Sequence, residues 1–185
     1  MKVLHLDSSI QGENSVSRAV SAAVVEQLRR AQGDLEIAYR DLGSSPPAHL
    51  TLAGFGSSEA ADILEQFLAA DIVVIGAPMY NFGIPTQLKS WFDHILISGK
   101  TFRYGANGAE GLAGAKRVIV ALARGGFYTD AAGATMEHTE THLRAMLGFI
   151  GIANPEVIIA EGIATGPEQR DKAIEAALAD AARVG

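Results

Sequence analysis

The run Ile72-Val73-Val74-Ile75-Gly76-Ala77 has no polar residue and is rich in β-branched side chains. A run this short with no polar alternation is read as a strand buried on both faces, in the middle of a parallel sheet. Upstream of it, Ala60 to Ala69 places Ile63, Leu64, Phe67 and Leu68 on one helical face. Downstream, Leu88, Trp91, Phe92, Ile95 and Leu96 form an i, i+3, i+4, i+7, i+8 stripe, in a helix with Pro85 in its first turn and an end near Gly99.

The same alternation continues to both ends of the chain. Lys2 to Leu6 is a short strand, and apolar positions from Val16 recur at helical spacing behind Ser15 or Asn14 as N-cap, until Gly33 closes the helix. Leu35 to Tyr39 alternates in polarity like a strand near a sheet edge, and Gly43 to Ser58 is loop. Arg117 to Ala123 and Glu156 to Ala160 read as strands, with Thr135 to Phe149 a helix between them. Thr165 and Glu168 form a capping box for a last helix carrying Ile174, Ala177, Leu178 and Ala181. Five strands alternating with five helices, without a repeat or a change of composition, predict one α/β domain over 1–185. Its sheet should be parallel and doubly wound, with helices on both faces.

Composition excludes several functions. Among 185 residues, 21 acidic against 15 basic side chains give a formal charge of −6, unsuited to general attraction by nucleic acid or an anionic membrane. The chain contains no cysteine, so thiol catalysis, disulfides and thiolate metal sites are out, and redox chemistry would need a borrowed cofactor. The start, MKVLHLDSSI, lacks the apolar core and cleavage site of a secretory signal, and no stretch reaches the roughly 18 apolar residues of a membrane helix. The expected compartment is the cytoplasm.

Doubly wound sheets bind ligands beyond the carboxyl ends of their strands, and three loops at such ends are unusual. After the first strand comes Ser8-Ser9-Ile10-Gln11-Gly12-Glu13-Asn14-Ser15-Val16-Ser17, whose hydroxyls and helix N-terminus suit a phosphate; alone, these serines read equally as N-caps and turn formers. After the central strand comes Pro78-Met79-Tyr80-Asn81-Phe82-Gly83, apolar enough to need a flat cover such as an isoalloxazine ring, or else a turn packed under its neighbour. After the fourth strand comes Ala123-Arg124-Gly125-Gly126, whose paired glycines let amide donors approach a ligand or simply make a turn.

Other motifs are absent or incomplete. Gly99-Lys100-Thr101 has His94 where a Walker A glycine belongs, and no G-x-G-x-x-G follows a strand. His138 and His142 have zincin spacing, but Glu140 is misplaced for that motif and no third ligand is apparent; no metal is expected.

Taken together, S-S-I with S-x-S, A-P-M-Y-N-F with P-T-Q-L-K-S-W-F-D, T-F-R-Y-x-x-N-G-x-E-G-L, R-G-G, and L-G-F-I-G-I with A-E-G-I-A-x-G-P cover nearly the whole chain. In these motifs the chain resembles the FMN-dependent NADH-azoreductases, which are also quinone reductases of the flavodoxin-like superfamily. The resemblance implies a five-stranded sheet of order 2-1-3-4-5 and a homodimer with the site at the subunit interface. It implies that Ser9, Ser15, Val16 and Ser17 hold the FMN phosphate, that Met79, Tyr80, Asn81 and Phe82 line the ring, and that Ala123, Arg124, Gly125 and Gly126 contact its polar edge. Tyr104 and Phe149 would be aromatic neighbours of the substrate. No catalytic side chain is expected, because NADH would pass hydride to flavin N5 and a quinone or azo compound would then take it. Two departures, Ala123 where relatives usually carry serine and a short Gly43 to Ser58 region, leave substrate range and the choice of NADH over NADPH open. The alternative is a flavodoxin-type electron carrier without small-molecule turnover, and behind it a flavin-free binding module.

Overall fold

In the computed structural model, which describes residues 1–130 and 132–185, five parallel strands lie side by side. They are β1 (Lys2–Asp7), β2 (Glu36–Asp41), β3 (Ile72–Pro78), β6 (Arg117–Arg124) and β7 (Glu156–Glu161), in the spatial order β2-β1-β3-β6-β7. With the separate hairpin β4 (Phe102–Gly105) and β5 (Gly108–Gly111) set aside, this is the order 2-1-3-4-5. The helices are α1 (Val16–Gln32), α2 (Ser58–Ala69), α3 (Thr86–Ile95), α4 (Thr139–Phe149) and α5 (Pro167–Ala181).

The two-residue period of the strands divides the core in two. Leu4 and Leu6 of β1, Val73 and Ile75 of β3, and Val118, Val120 and Leu122 of β6 point to one face, against Phe67 of α2, Trp91 and Phe92 of α3, and Leu143 and Leu147 of α4. The intervening Val3, Val74, Ile119 and Ala121 face Val20, Val24 and Leu28 of α1. On α5, alanines at positions 173, 177 and 181 keep the inward stripe thin, so α5 packs close beside α1. All seven residues of β3 are buried, as its unbroken apolar run demands, whereas β2 at the sheet edge is half exposed.

Several local expectations are corrected. The helix expected to run to near Gly99 stops at Ile95, where the buried Thr101 hydroxyl donates to the Ile95 carbonyl at 2.6 Å. Pro85 is its N-cap and not part of its first turn. The β4–β5 hairpin was not foreseen, because four-residue strands on an exposed surface leave no hydrophobic period to read. Helix α4 begins at Thr139 and not at Thr135, since Ala134–Met136 forms a separate 3-10 turn. The capping box at Thr165 does not form: its hydroxyl donates to the Gly162 carbonyl at 2.8 Å, Gly166 is the N-cap, and Glu168 pairs with Lys172. At α1 the cap is Ser15, whose hydroxyl accepts the Arg18 N–H at 3.3 Å. No helix among the described residues is long and apolar enough to cross a membrane.

Candidate active site

In this strand order β1 and β3 are neighbours whose chains lead away in opposite directions, and the loops beyond their ends frame a crevice. A cleft of about 240 Å3 lies there. Its walls bring together the three loops singled out in the sequence, through Ser15 and Val16, Met79 and Tyr80, and Ala123 and Gly125.

The first loop is held from several sides. The Ser8 hydroxyl donates to the Gly76 carbonyl at 2.7 Å, Gln87 Nε2 donates to the Ser8 carbonyl at 2.7 Å, and the Arg18 guanidinium donates to the Ser9 carbonyl at 2.7 Å. Arg18 is itself fixed by Asp41, and this pairing holds the Asp41 carboxyl down at about 2 and raises the guanidinium. Burial, with Asp7 next, pushes the neighbouring Tyr39 phenol up. The Ser15 and Ser17 hydroxyls lie 3.1 Å apart at the start of α1. Among the described residues no protein acceptor takes the N–H of Val16 or Ser17, and no carboxylate occupies that first turn. Open amides at the positive end of a 17-residue helix make a seat for an anion.

The second loop is a closed turn. Tyr80 and Gly83 exchange two backbone hydrogen bonds, at 2.9 and 3.1 Å, and Asn81 and Phe82 between them have φ of 48° and 70°. A two-residue connection with both central residues left-handed is a type I′ turn. The turn leaves Asn81 and Phe82 exposed, with the Phe82 ring edge-on to Tyr128 at 6.4 Å. Met79 and Tyr80 lie deeper and line the cleft.

The third loop is joined to the second by the Met79 N–H, which donates to the Ala123 carbonyl at 2.7 Å. The carbonyls of Arg124, Gly125 and Gly126 accept from Ile163, Ala164 and Gly162, so the loop's acceptors are used up. Among the described residues, the N–H groups of Gly125 and Gly126 have no acceptor within the protein. Ala123 gives this arrangement its backbone without a hydroxyl. Arg124 differs from the expectation in one respect: its side chain is buried among Glu137, Glu140 and Glu161, so the main chain is what it offers the cleft.

Of the expected site residues, Ser15, Val16, Met79, Tyr80, Ala123 and Gly125 line the cleft; Ser9, Ser17, Asn81, Phe82, Arg124 and Gly126 belong to the same loops without lining it, and Tyr104 and Phe149 belong to none of the three loops. Phe149 packs on Phe102 at 4.6 Å between ring centres and Tyr104 on Phe102 at 5.6 Å, forming an aromatic group in which Tyr104 is 72% exposed. Conversely, Gln11, Ile163, Ala164 and Arg170 line the cleft without having been assigned a role from the sequence. Arg170, on α5, donates to the Asn14 carbonyl at 2.8 Å and so places a cation beside the N-terminus of α1. No motif signals this, because α5 lies more than 150 residues away in the chain.

A family model described as the flavodoxin-like fold matches residues 1–184. The chain belongs to this flavodoxin-like family. It is similar to the FMN-dependent NADH:quinone oxidoreductase 2 of Bradyrhizobium diazoefficiens, with 55% identity covering 96% of each chain. A similar relative is the FMN-dependent NADH:quinone oxidoreductase of Gluconacetobacter diazotrophicus, at 56% identity over 96% of each. Among solved structures, an FMN-dependent NADH-azoreductase from Bacillus anthracis in complex with FMN aligns with a TM-score of 0.86 at 26% identity, over 99% of this chain and 98% of that one.

The donor set of this flavodoxin-like cleft fits FMN. Open helix amides, serine hydroxyls and Arg170 suit a phosphate dianion, the Met79–Phe82 turn suits a flat apolar ring, and the Gly125 and Gly126 amides suit carbonyl or ring-nitrogen acceptors.

Proposed function

We propose that this chain is an FMN-dependent oxidoreductase that takes electrons from NADH, reduces quinones by two electrons and cleaves aromatic azo compounds at the same site. The observation that carries the reading is the joining of three strand-end loops around one cleft, each leaving backbone donors or apolar side chains toward it. The names of the relatives at 55% and 56% identity favour an enzyme over a flavodoxin-type carrier.

FMN, when bound, supplies the two-electron chemistry between nicotinamide and oxidant. The protein's part is binding and orientation. Val16 and Ser17 amides, the hydroxyls of Ser9, Ser15 and Ser17, and the Arg170 cation hold the phosphate. Met79, Tyr80, Asn81 and Phe82 form the wall for the ring. The Gly125 and Gly126 amides donate to its polar edge, where fixed dipoles favour negative charge. No side chain has to act as nucleophile or acid.

We read the chain as one domain over 1–185, working in the cytoplasm as a homodimer with the site at the subunit interface. The exposed Tyr104, with Phe102 and Phe149 behind it, supports this arrangement: a second copy presenting that aromatic group would complete the substrate pocket that a single cleft leaves open. Anaerobic NADH tests the reading. The yellow protein should bleach within seconds and regain its colour on addition of menadione or methyl red. A protein that stays oxidised under NADH yet binds FMN would be a carrier, and one that takes up no FMN would sink the proposal.

A further inference from the structure

Phe82 is the one non-glycine residue besides Asn81 found at positive φ among the described residues, and as a bulky aromatic at 70° it is the more strained of the two. Such a conformation is costly and persists only where surrounding structure over-determines it. The Tyr80–Gly83 hydrogen bonds close the turn but do not fix its orientation. At its Phe82 end the turn is held from the start of α4: the Phe82 carbonyl accepts the His138 N–H at 3.1 Å and the Thr139 hydroxyl at 3.5 Å.

The start of α4 is in turn held by one carboxylate. Glu137, 8% exposed, accepts the N–H groups of Thr139 at 2.9 Å, Glu140 at 2.8 Å and Thr141 at 3.3 Å. A carboxylate this buried needs a counter-charge. Arg124 provides it: the guanidinium, 2% exposed, stands 3.3 Å from Glu137 and 2.8 Å from Glu140. The same guanidinium reaches Glu161 at 3.6 Å, and Glu161 accepts the Tyr128 N–H at 3.1 Å. A continuous set of contacts therefore runs from the end of β6 to the carbonyl of the strained turn.

We propose that Arg124 is a positioning residue, which through Glu137 and the first turn of α4 fixes the Asn81–Phe82 turn in the conformation that receives the cofactor ring. This rests on the FMN reading above. The arginine of R-G-G thus serves the ring from behind the opposite loop, while the two glycines serve it directly.

The test is a cycle of FMN dissociation constants, measured by quenching of flavin fluorescence on titration with apoprotein. Glu137→Gln should weaken FMN binding about tenfold, a loss of about 1.4 kcal/mol. In a Phe82→Gly background the same change should cost less than about twofold, because glycine holds positive φ without a clamp. Arg124→Lys, which keeps the charge but not the fork, should follow the same background dependence. Should Glu137→Gln fail to fold, Glu140→Gln, at the more open side of the cluster, replaces it with an expected loss of about threefold. An equal loss in both backgrounds, or none in either variant, overturns the positioning role. A wild-type protein that takes up no FMN overturns the functional reading instead.

Discussion

The phenol oxygen of Tyr80 lies 3.2 Å from Ser9 Oγ and accepts the Ile10 N–H at 3.1 Å, so the ring-facing turn and the phosphate-facing loop are joined by one side chain. Tyr80→Phe keeps the ring and removes both contacts. Net hydrogen bonds of this kind contribute about 1 kcal/mol each. FMN binding should weaken by about fivefold to thirtyfold, on the scale of tenfold per 1.4 kcal/mol. Binding unchanged in a fluorescence titration would mean that the two loops are held independently.

Arg170 offers a charge where the α1 N-terminus offers only partial charges, and it is anchored to the Asn14 carbonyl. Arg170→Gln should therefore discriminate between ligands. FMN affinity should fall by about tenfold to a hundredfold, since a hydrogen bond to a charged group contributes about 1.5–3 kcal/mol and each 1.4 kcal/mol is about tenfold. Riboflavin, which lacks the phosphate, should bind the variant as it binds the parent. The FMN deficit should also shrink as salt is raised, because a partly exposed charge is screened. Equal losses for FMN and riboflavin would place Arg170 away from the phosphate.

The Arg18–Asp41 pair sets a pH dependence. The Arg18 guanidinium holds the Asp41 carboxyl at about 2, below its ordinary 3.8. A depressed carboxyl contributes stability that is complete above its unfolded value and is lost as pH falls through its folded value. Asp41→Asn should thus lower the melting temperature by a constant amount above about pH 5, and the gap to wild type should close between about pH 4 and 2. At neutral pH the variant should also bind FMN more weakly, because Arg18 anchors the Ser9 carbonyl. A gap that persists to pH 2 would assign the effect to packing.

How much of this was legible beforehand depended on where the physical signal lay. The apolar run 72–77 and the stripe of α1 announced the sheet and its helices, because burial on a fixed period leaves its mark in a single stretch of chain. The three site loops were legible as clusters of hydroxyl, aromatic and glycine residues at strand ends. Arg124 was seen as part of such a loop, but its partners Glu137, Glu140 and Glu161 come from other elements, and no spacing joins them. Arg170 was missed for the same reason. The β4–β5 hairpin was missed because its stability is borrowed: Ala113 N–H donates to the Ile150 carbonyl at 2.8 Å, and the hairpin rests on the end of α4.

That docking gives a prediction that separates substrate from cofactor. Gly111 meets Gly151 with so little room that a Cβ on Gly111 would stand 2.1 Å from the Gly151 nitrogen and 2.2 Å from the Ile150 carbonyl carbon. Both obstacles are backbone, which cannot swing aside as a side-chain tip can, so Gly111→Ala must push the hairpin off α4. Such overpacking typically costs about 1–3 kcal/mol. The displaced segment carries Phe102 and Tyr104 away from Phe149, and none of its residues lines the cleft among the described residues. FMN affinity should therefore stay within about twofold of the parent, a change below about 0.5 kcal/mol. The KM for menadione should rise several-fold, because the aromatic group assigned to the substrate is misplaced. A parallel loss of FMN would show instead that the hairpin supports the cofactor site, and an unchanged KM would remove Tyr104 from the substrate pocket.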